Sequence, residues 1–266
     1  MQSKIEKIKN WVNKGGFPFE MKVAKAFRES EFLIGQSILF KDPESEKYRE
    51  TDIIAHISRK FGDVWFNLTF VVECKKIIDK PWIILKSDPP SQIQKGKWVI
   101  FGSRNAQVLI KRLEEIRTYR SPLVFPDLSN YGYNVVTAFS EKNDSSYAAT
   151  QSVLKATEYL VSKSNESLNK FCNIYIPIIA VEGELYEGQL NHHNEIDIEE
   201  KHKSTFVSTK SFEEKGLSIL TIVTSEEIEI YIKELKKDCE LFFENYKNEL
   251  EELSKSNPTN SEFFTF

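Results

Sequence analysis

The sequence predicts an α/β fold, in which a mixed sheet of about four core strands is flanked by helices. Three observations predict it. Residues 51–57 and 65–74 are rich in β-branched and apolar residues, as expected of two strands. Residues 172–181 form a continuous apolar run, which is typical of a strand buried on both faces. Apolar residues recur at helical spacing over residues 145–162.

Two helices are predicted before the first strand, which is expected at residues 32–40. The first helix spans residues 1–13, has an amphipathic stripe and ends at two glycines. The second begins at Pro18, a residue favoured in a first helical turn, and continues to about Glu29. Glu20 lies at the edge of its apolar stripe, where a carboxylate is costly unless it is paired or binds an ion. The alternative is an ordinary first-turn glutamate near the positive helix N-terminus.

The two strands at 51–57 and 65–74 are predicted to form a hairpin. Gly62 and Asp63 lie between them, and glycine as the first central residue suits a type II′ turn. Facing residues then have position numbers that add up to 125, so Asp52 faces Glu73, with Cβ atoms about 4.5–5.5 Å apart. Lys75 projects from the same face as Glu73, because side chains alternate along a strand.

Two directly opposed carboxylates are destabilising without a compensating cation. A divalent metal held by Asp52 and Glu73 would supply that charge, with further oxygen ligands from water or a substrate phosphate. Lys75 would then orient a water or stabilise charge that develops on phosphorus. An ordinary cross-strand ion pair is the alternative for Lys75, since the same register places it opposite Glu50.

Asp52 followed by Glu73-Cys74-Lys75 on the next strand resembles the D…E-x-K signature of the restriction-endonuclease-like phosphodiesterases, the PD-(D/E)XK superfamily. Thr51 stands where many members have proline. The resemblance covers mainly residues 17–85 and 145–181, with the order helix, strand, strand, strand. It implies a restriction-endonuclease-like sheet and a Mg²⁺-dependent nuclease, with Mn²⁺ as a substitute, that acts on DNA rather than RNA. It also implies a role in phage defence or restriction.

The resemblance further implies the roles of the site residues. Asp52 and Glu73 would hold the metal, and the backbone carbonyl of Cys74 would add a ligand. Glu20 matches a carboxylate that members often carry on their first core helix, and it would complete or bridge the site. Lys75 would position the attacking water.

Three further residues are candidates for binding substrate. In several branches of the superfamily a glutamine or a basic residue on the second core helix lies near the active site, and Gln151 and Lys155 match that position. Lys76 would contact a phosphate. The alternatives are an exposed helix face for the first two and a solvated lysine for the third.

Residues 86–144 are interpreted as an insertion into a nuclease-like domain of residues 1–225, and the resemblance implies that such insertions carry substrate or partner specificity. A short strand is expected at 98–101, a helix at about 105–119 and another strand at 133–139. The helix carries a candidate basic surface, for which a solvated face is the alternative. That surface comprises Lys111, Arg112, Arg117 and Arg120.

Residues 226–254 are predicted to form one long C-terminal helix. Its apolar positions alternate between steps of three and four, a near-heptad seam that suits a long partner surface. A homo-oligomer or protein-partner contact through this helix is therefore expected, and packing across its own domain is the alternative. Residues 255–266 form a tail with three phenylalanines that suits a docking peptide, and residues 191–203 are expected to be a polar loop.

Composition limits the classes of function. The net charge of −4 disfavours broad non-specific affinity for DNA, so a nuclease would depend on local basic patches or on a partner. Three widely separated cysteines favour neither a disulfide framework nor a zinc site, and they predict a reducing, cytoplasmic location. The sequence has no signal-like apolar segment and no apolar run long enough for a membrane span.

Two other functions remain open from the sequence. One is a non-catalytic binding or assembly module that keeps the nuclease fold, which the acidic charge and the C-terminal helix favour. The paired Asp52 and Glu73 disfavour it, because a purely structural domain has no need of facing carboxylates. The other is an RNA-processing nuclease.

Overall fold

The computed structural model describes residues 2–42, 45–77, 79–87, 98–116, 118–127, 131–140, 144–166, 170–209 and 217–255. The helices of this part of the chain span Lys4–Lys14 (α1), Phe17–Glu29 (α2), Arg104–Leu113 (α3), Ser145–Glu166 (α4), Ile228–Asn245 (α5) and Lys247–Lys255 (α6). The strands span Leu33–Lys41 (β1), Tyr48–Phe61 (β2), Val64–Lys76 (β3), Trp82–Lys86 (β4), Trp98–Val99 (β5), Phe101–Gly102 (β6), Gly132–Thr137 (β7), Phe171–Glu182 (β8), Leu185–Leu190 (β9), Ile196–Lys201 (β10), Lys203–Thr209 (β11) and Leu217–Thr224 (β12).

The strands form one mixed sheet flanked by helices, which confirms the predicted mixed α/β architecture. The order is β1-β2-β3-β8-β12-β11-β7-β4-β9-β10, with β5 beside β12 and β6 beside β8. Strand β3 pairs antiparallel with β2 and parallel with β8. The sheet has twelve strands in the described residues, so it is much larger than the four-stranded core that the sequence predicts.

The β2–β3 hairpin has the predicted turn and register. Facing pairs run from Phe61 and Val64 at the turn to Ile53 and Val72, and all of them add up to 125. Gly62 has φ 53°, a left-handed conformation that favours glycine. Turn chemistry and alternation along both strands therefore fix the hairpin.

Strands β3 and β8 continue as a parallel pair into β4 and β9 after a bend. Backbone hydrogen bonds persist through it, since the Ile77 N–H donates to Glu182 O at 3.0 Å and the Trp82 N–H to Glu184 O at 3.1 Å. Gly183 lies at the bend with φ 158°, and a Cβ there would lie 2.3 Å from Ile77 Cγ1. The bend therefore requires glycine, and it carries the chain from one half of the sheet to the other.

Two apolar cores lie on opposite faces of β3 and β8. Successive residues of a strand point to opposite faces, so Phe70 and Val72 belong to the first core and Val71 to the second. The first core is completed by α2, α3, α5 and α6, and the second by α4, β4 and β7. Glu73 points to the same face as Val71, toward α4.

The region predicted as an insertion contributes to the main sheet. Strand β7, which lies within the predicted bounds of 86–144, pairs with β4 and β11, and its Val135 is buried. The expected helix is shorter than predicted, because it ends at Leu113. Residues 191–203 are not the expected polar loop throughout, since β10 lies within them as an exposed, charged strand. Arg117 of the candidate basic surface lies outside the described residues.

The predicted long C-terminal helix consists of two helices, α5 and α6, separated at Tyr246. Its apolar seam is buried in the protein's own first core, which was the alternative to a partner contact. The Tyr246 hydroxyl donates to Tyr119 O and accepts from the Ser121 N–H, each at 3.1 Å. The phenylalanine-rich tail from residue 256 onward lies outside the described residues. No helix of the described chain combines the length and the apolar character needed to cross a membrane.

Candidate active site

The candidate site lies where β2 separates from β3. The ladder between them ends at Ile53 and Val72, one position before Asp52 and Glu73, whereas β3 stays paired with β8 to its last residue. Beyond the end of the ladder, the Cys74 N–H donates to Asp52 Oδ2 at 2.6 Å. The Asp52 carboxylate thus replaces a backbone carbonyl of β2 as the acceptor. Asp52 and Glu73 therefore lie together as predicted, but beyond the end of the regular ladder.

The pairing of β1 with β2 is also interrupted at Asp52. The ladder joins Gln36 to Ile53 and Ile38 to Thr51, and it skips the position between them. Ser37, the skipped residue of β1, has φ 54°, a conformation that L-residues rarely adopt. The pairing of β2 with each of its two neighbouring strands is thus interrupted at Asp52. Such irregularities in sheets cluster at functional sites.

Glu73 is held by one cation and one hydroxyl. Lys75 Nζ lies 2.6 Å from Glu73 Oε1, and Ser152 Oγ of α4 donates to Glu73 Oε2 at 2.9 Å. The Glu73 side chain is 5% exposed and that of Lys75 is 34% exposed, so the ammonium group remains accessible. The predicted common face of Glu73 and Lys75 is confirmed, whereas Lys75 pairs with Glu73 and not with Glu50.

Glu20 reaches the same group from α2. Its Oε1 lies 3.3 Å from the position that a Cβ on Gly16 would occupy, so the carboxylate folds back toward the junction of α1 and α2. Burial raises the pKa of Glu20, repulsion from Asp52 and Glu50 adds to the rise, and Lys75 opposes it. The structure therefore brings Glu20, Asp52, Glu73 and Lys75 together, and it adds Glu50 as a further acid.

Negative charge exceeds positive charge at this site. Burial raises the pKa of Asp52, against the hydrogen bond from Cys74 and the attraction of Lys75. Burial also raises the pKa of Glu73, and repulsion from Asp52 adds to it. Burial alone would lower the pKa of Lys75, but the adjacent Glu73 and Asp52 raise it above its ordinary value. Burial is the largest cause of the raised pKa of all three carboxylates, and repulsion between like charges adds to it.

The predicted substrate-binding residues have other contacts. Lys155 Nζ lies 3.4 Å from Asp42 Oδ2, a fully buried carboxylate that also accepts from Arg49 Nε at 2.6 Å. Lys76 Nζ lies 3.3 Å from Glu182 Oε2. Gln151 is half-buried on α4, beside Ser152 in the chain. Lys155 is therefore positioned by a buried acid, and Lys76 lies next to the site at the end of β3.

Sequence reasoning missed Ser152 as a partner of Glu73. The sequence signal that could have identified it is a hydroxyl at the edge of the apolar stripe of α4, in which Ala149, Val153 and Ala156 are all buried. A polar side chain at the edge of a buried helical stripe needs a hydrogen-bond partner. Its partner is 79 residues away in the chain, so spacing alone does not identify it.

The donor chemistry of the site fits a hard divalent cation. Carboxylate oxygens from Asp52, Glu73 and Glu20 are the ligands that Mg²⁺ takes. The N–H and C=O of a strand residue point to the same side, so the Cys74 carbonyl faces the gap that its N–H shares with Asp52. As the side chains lie, no set of three His, Cys, Asp or Glu residues in the described chain forms a group that could hold a metal ion. Carboxylate side chains would therefore have to move for a cation to bind.

The chain matches no protein-family model, and comparisons with curated proteins and with solved structures give no significant match. What the site can do follows from its side chains. Oxygen donors in excess, a single accessible ammonium group and a hydroxyl that orients one carboxylate suit a divalent cation and a phosphate ester.

Proposed function

We propose that this protein is a divalent-metal-dependent nuclease that hydrolyses phosphodiester bonds, with DNA as the preferred substrate. One observation carries the proposal: buried Glu73, hydrogen-bonded to Lys75 and Ser152, lies beside Asp52 and Glu20 in a group with more negative than positive charge. A structural ion pair has no use for the additional carboxylates.

The roles proposed for the residues are those that the resemblance implies. Asp52, Glu73 and Glu20 would hold Mg²⁺, or Mn²⁺ in its place, together with the Cys74 carbonyl. When bound, the cation would polarise the phosphate and lower the pKa of a bound water. Lys75 would turn from Glu73 to donate to the attacking water. The water oxygen bonds to phosphorus and gives up a proton to surrounding water. The bond to the leaving oxygen breaks, and that oxygen takes up a proton from surrounding water.

The order of elements around the site supports a restriction-endonuclease-like core. Helix α2 is followed by β1, β2 and β3, and α4 then leads into β8, which lies parallel to β3. In this interpretation β5, β6, β7 and α3 belong to the insertion, although these strands extend the sheet. Restriction or phage defence as the cellular role comes from the resemblance alone.

The test is a cleavage assay on plasmid, linear duplex DNA, single-stranded DNA and RNA, each with Mg²⁺, Mn²⁺ or EDTA. We expect DNA cleavage that requires a divalent cation and falls by about 10²–10³-fold in Glu73→Gln, the usual loss when one preorganised charge is removed. Glu187→Gln is the matched control, since Glu187 is also a glutamate with little exposure, 12%, that pairs with a lysine. Cleavage that survives EDTA, or that Glu73→Gln leaves unchanged, contradicts the proposal. Cleavage of RNA alone would make the protein an RNA nuclease.

A second candidate is a non-catalytic binding or assembly module. The satisfied hydrogen bonds of Glu73 favour it, because Lys75 and Ser152 already occupy both carboxylate oxygens. The two functions differ in how Mg²⁺ affects unfolding. A nuclease site that binds Mg²⁺ should raise the free energy of unfolding by about 2.7 kcal/mol at 100 times the Kd. A binding module should show no such rise, and Asp52→Asn should abolish the rise in a nuclease.

A further inference from the structure

Helix α1 is an exposed helix with an uncovered apolar stripe. None of its residues is buried, and Ile5, Ile8 and Trp11 are 66%, 52% and 68% exposed. Phe17 and Met21, at the start of α2, extend the apolar surface and are 50% and 64% exposed. The rings of Trp11 and Phe17 lie 6.0 Å apart between centroids. Within the described chain, this aromatic pair is open to solvent on the side away from the core.

The same segment is basic in an acidic protein. Residues 4–25 contain six lysines and two glutamates, a formal charge of +4. Because the net charge of the whole chain is −4, the other residues together carry −8. Lys7 and Lys14 lie four residues before and three residues after Trp11, so they neighbour the indole on the helix surface. Positive charge thus borders the exposed ring.

This surface adjoins the candidate active site. Lys76 Nζ donates to the Asn13 carbonyl near the end of α1 at 3.3 Å, and Lys76 directly follows Lys75. Phe17 lies three residues before Glu20, so both side chains lie on the same side of α2. The aromatic pair therefore lies at the edge of the group of carboxylates.

We propose that α1 and the first turn of α2 bind a single-stranded segment of nucleic acid, with bases stacked on Trp11 and Phe17 and phosphates near the lysines. This inference rests on the proposed nuclease function for its biological meaning, and it assigns single strands or unpaired ends as the substrate. Exposed aromatic rings bordered by positive charge are the features that bind single strands without sequence preference, because every base has a face that stacks.

The charge of α1 favours nucleic acid over a second copy of the chain as its binding partner. Helix α1 carries Lys4, Lys7, Lys9 and Lys14 against the single acid Glu6, so two copies of the helix would repel each other. A nucleic acid strand carries the complementary charge at regular spacing. An anionic membrane surface would also attract the lysines, and it forms one arm of the test.

The test measures binding in EDTA, so that no cleavage interferes. A fluorescein-labelled thymidine oligonucleotide of about 20 nucleotides, the matching duplex and phosphatidylserine-containing vesicles are titrated with the full chain. We expect the single strand to bind more tightly than the duplex or the vesicles. Trp11→Ala and Phe17→Ala should each weaken single-strand binding by about tenfold, since stacking contributes about 1–3 kcal/mol per base. Lys7→Gln should lower the salt slope by about 0.7.

Trp65→Ala is the matched control, because Trp65 is 42% exposed at the other end of β3, about 33 Å along the strand from Lys75. Its affinity should be that of the unchanged protein. Thermal unfolding of each variant, which we expect to be unaltered for these exposed positions, separates loss of binding from loss of the fold.

The outcomes separate this inference from the proposed function. Unchanged oligonucleotide binding in Trp11→Ala, tighter binding to vesicles than to the single strand, or self-association through α1 overturns the inference even if Mg²⁺-dependent cleavage is found. Weakened single-strand binding in Trp11→Ala and Phe17→Ala supports the inference even if no cleavage is found, in which case the nuclease proposal alone fails.

Discussion

Two largely buried glutamates in this protein have the same kinds of partner and different surroundings. Glu73 lies 2.6 Å from Lys75 Nζ, and Glu187 of β9 lies 2.7 Å from Lys86 Nζ of β4. Each also accepts a hydrogen bond from a serine hydroxyl on another helix or strand. The serines are Ser152 for Glu73 and Ser204 for Glu187.

The difference lies in charge balance and access. Asp52 and Glu20 lie near the first pair as further acids. Glu199 faces Glu187 across the strands, but it pairs with Lys201. The Lys75 side chain is 34% exposed. The Lys86 side chain is only 6% exposed. A buried lysine–glutamate pair is thus not in itself a sign of function. Uncompensated acids beside an accessible lysine distinguish the candidate site from a structural ion pair.

Replacing each lysine should give the largest contrast. Lys75→Met should lower nuclease activity by about 10²–10³-fold, because an ammonium group that acts on the attacking water is lost. Lys86→Met should leave activity within about threefold but lower the free energy of unfolding by about 3 kcal/mol, since Glu187 is left as a buried charge. Cleavage kinetics and denaturant unfolding measure the two effects. Equal activity in the two variants would remove the distinction between the pairs.

The serines should show a smaller contrast. Ser152→Ala should lower activity or Mg²⁺ affinity by about 10–100-fold, the usual effect of losing a group that orients a metal ligand. Ser204→Ala should change neither. Steady-state kinetics over a range of Mg²⁺ concentrations measures both quantities, and a higher Mg²⁺ requirement in Ser152→Ala would identify the serine as a positioning residue. An unchanged requirement would leave Ser152 with a structural role only.

Removing one of the excess acids should produce the smallest effect, on stability. Asp52→Asn should raise the free energy of unfolding without metal by about 0.2–1 kcal/mol at pH 7, because it removes repulsion from Glu73 and keeps an oxygen for the Cys74 N–H.

The pH dependence of that difference has a defined sign. The pKa of Asp52 is higher in the folded protein than in the unfolded chain, so its ionised form lowers stability above the folded pKa. The gain from Asp52→Asn should therefore be full at neutral pH and disappear as the pH falls through the raised pKa toward the ordinary range. Urea unfolding between pH 7 and pH 4 measures it. A gain that grows at low pH would contradict the burial and repulsion that raise this pKa.

The hairpin and its acids were predictable from sequence because their causes are local. The turn at Gly62 sets the register, and strict alternation then fixes which side chains share a face. The common face of Glu73 and Lys75 was predictable from these two local features. Ser152 was not predictable, because it meets Glu73 through the packing of α4 on the sheet. The exposed charged strand β10 was missed for a related reason. Its hydrogen bonds to β9 hold it in place, and its apolar alternation is limited to Ile196 and Ile198.

The apolar seam of the C-terminal helices shows a second limit of prediction from sequence. Its periodicity correctly predicted an apolar stripe, yet period alone does not reveal which surface the stripe covers. In the structure Phe243 stacks near Phe61, at the turn of the hairpin, with ring centroids 6.4 Å apart. The C-terminal helices thus contact the hairpin and the rest of the first core.

That contact has a consequence for synthesis. A ribosome releases Phe61 with the hairpin well before it releases Phe243. Helix α2 precedes the hairpin and covers Phe70, but the part of the hairpin around Phe61 gains this aromatic contact only when the first of the two C-terminal helices has been made. Apolar surface that is exposed for part of synthesis promotes aggregation, so we expect truncation before residue 228 to lower solubility.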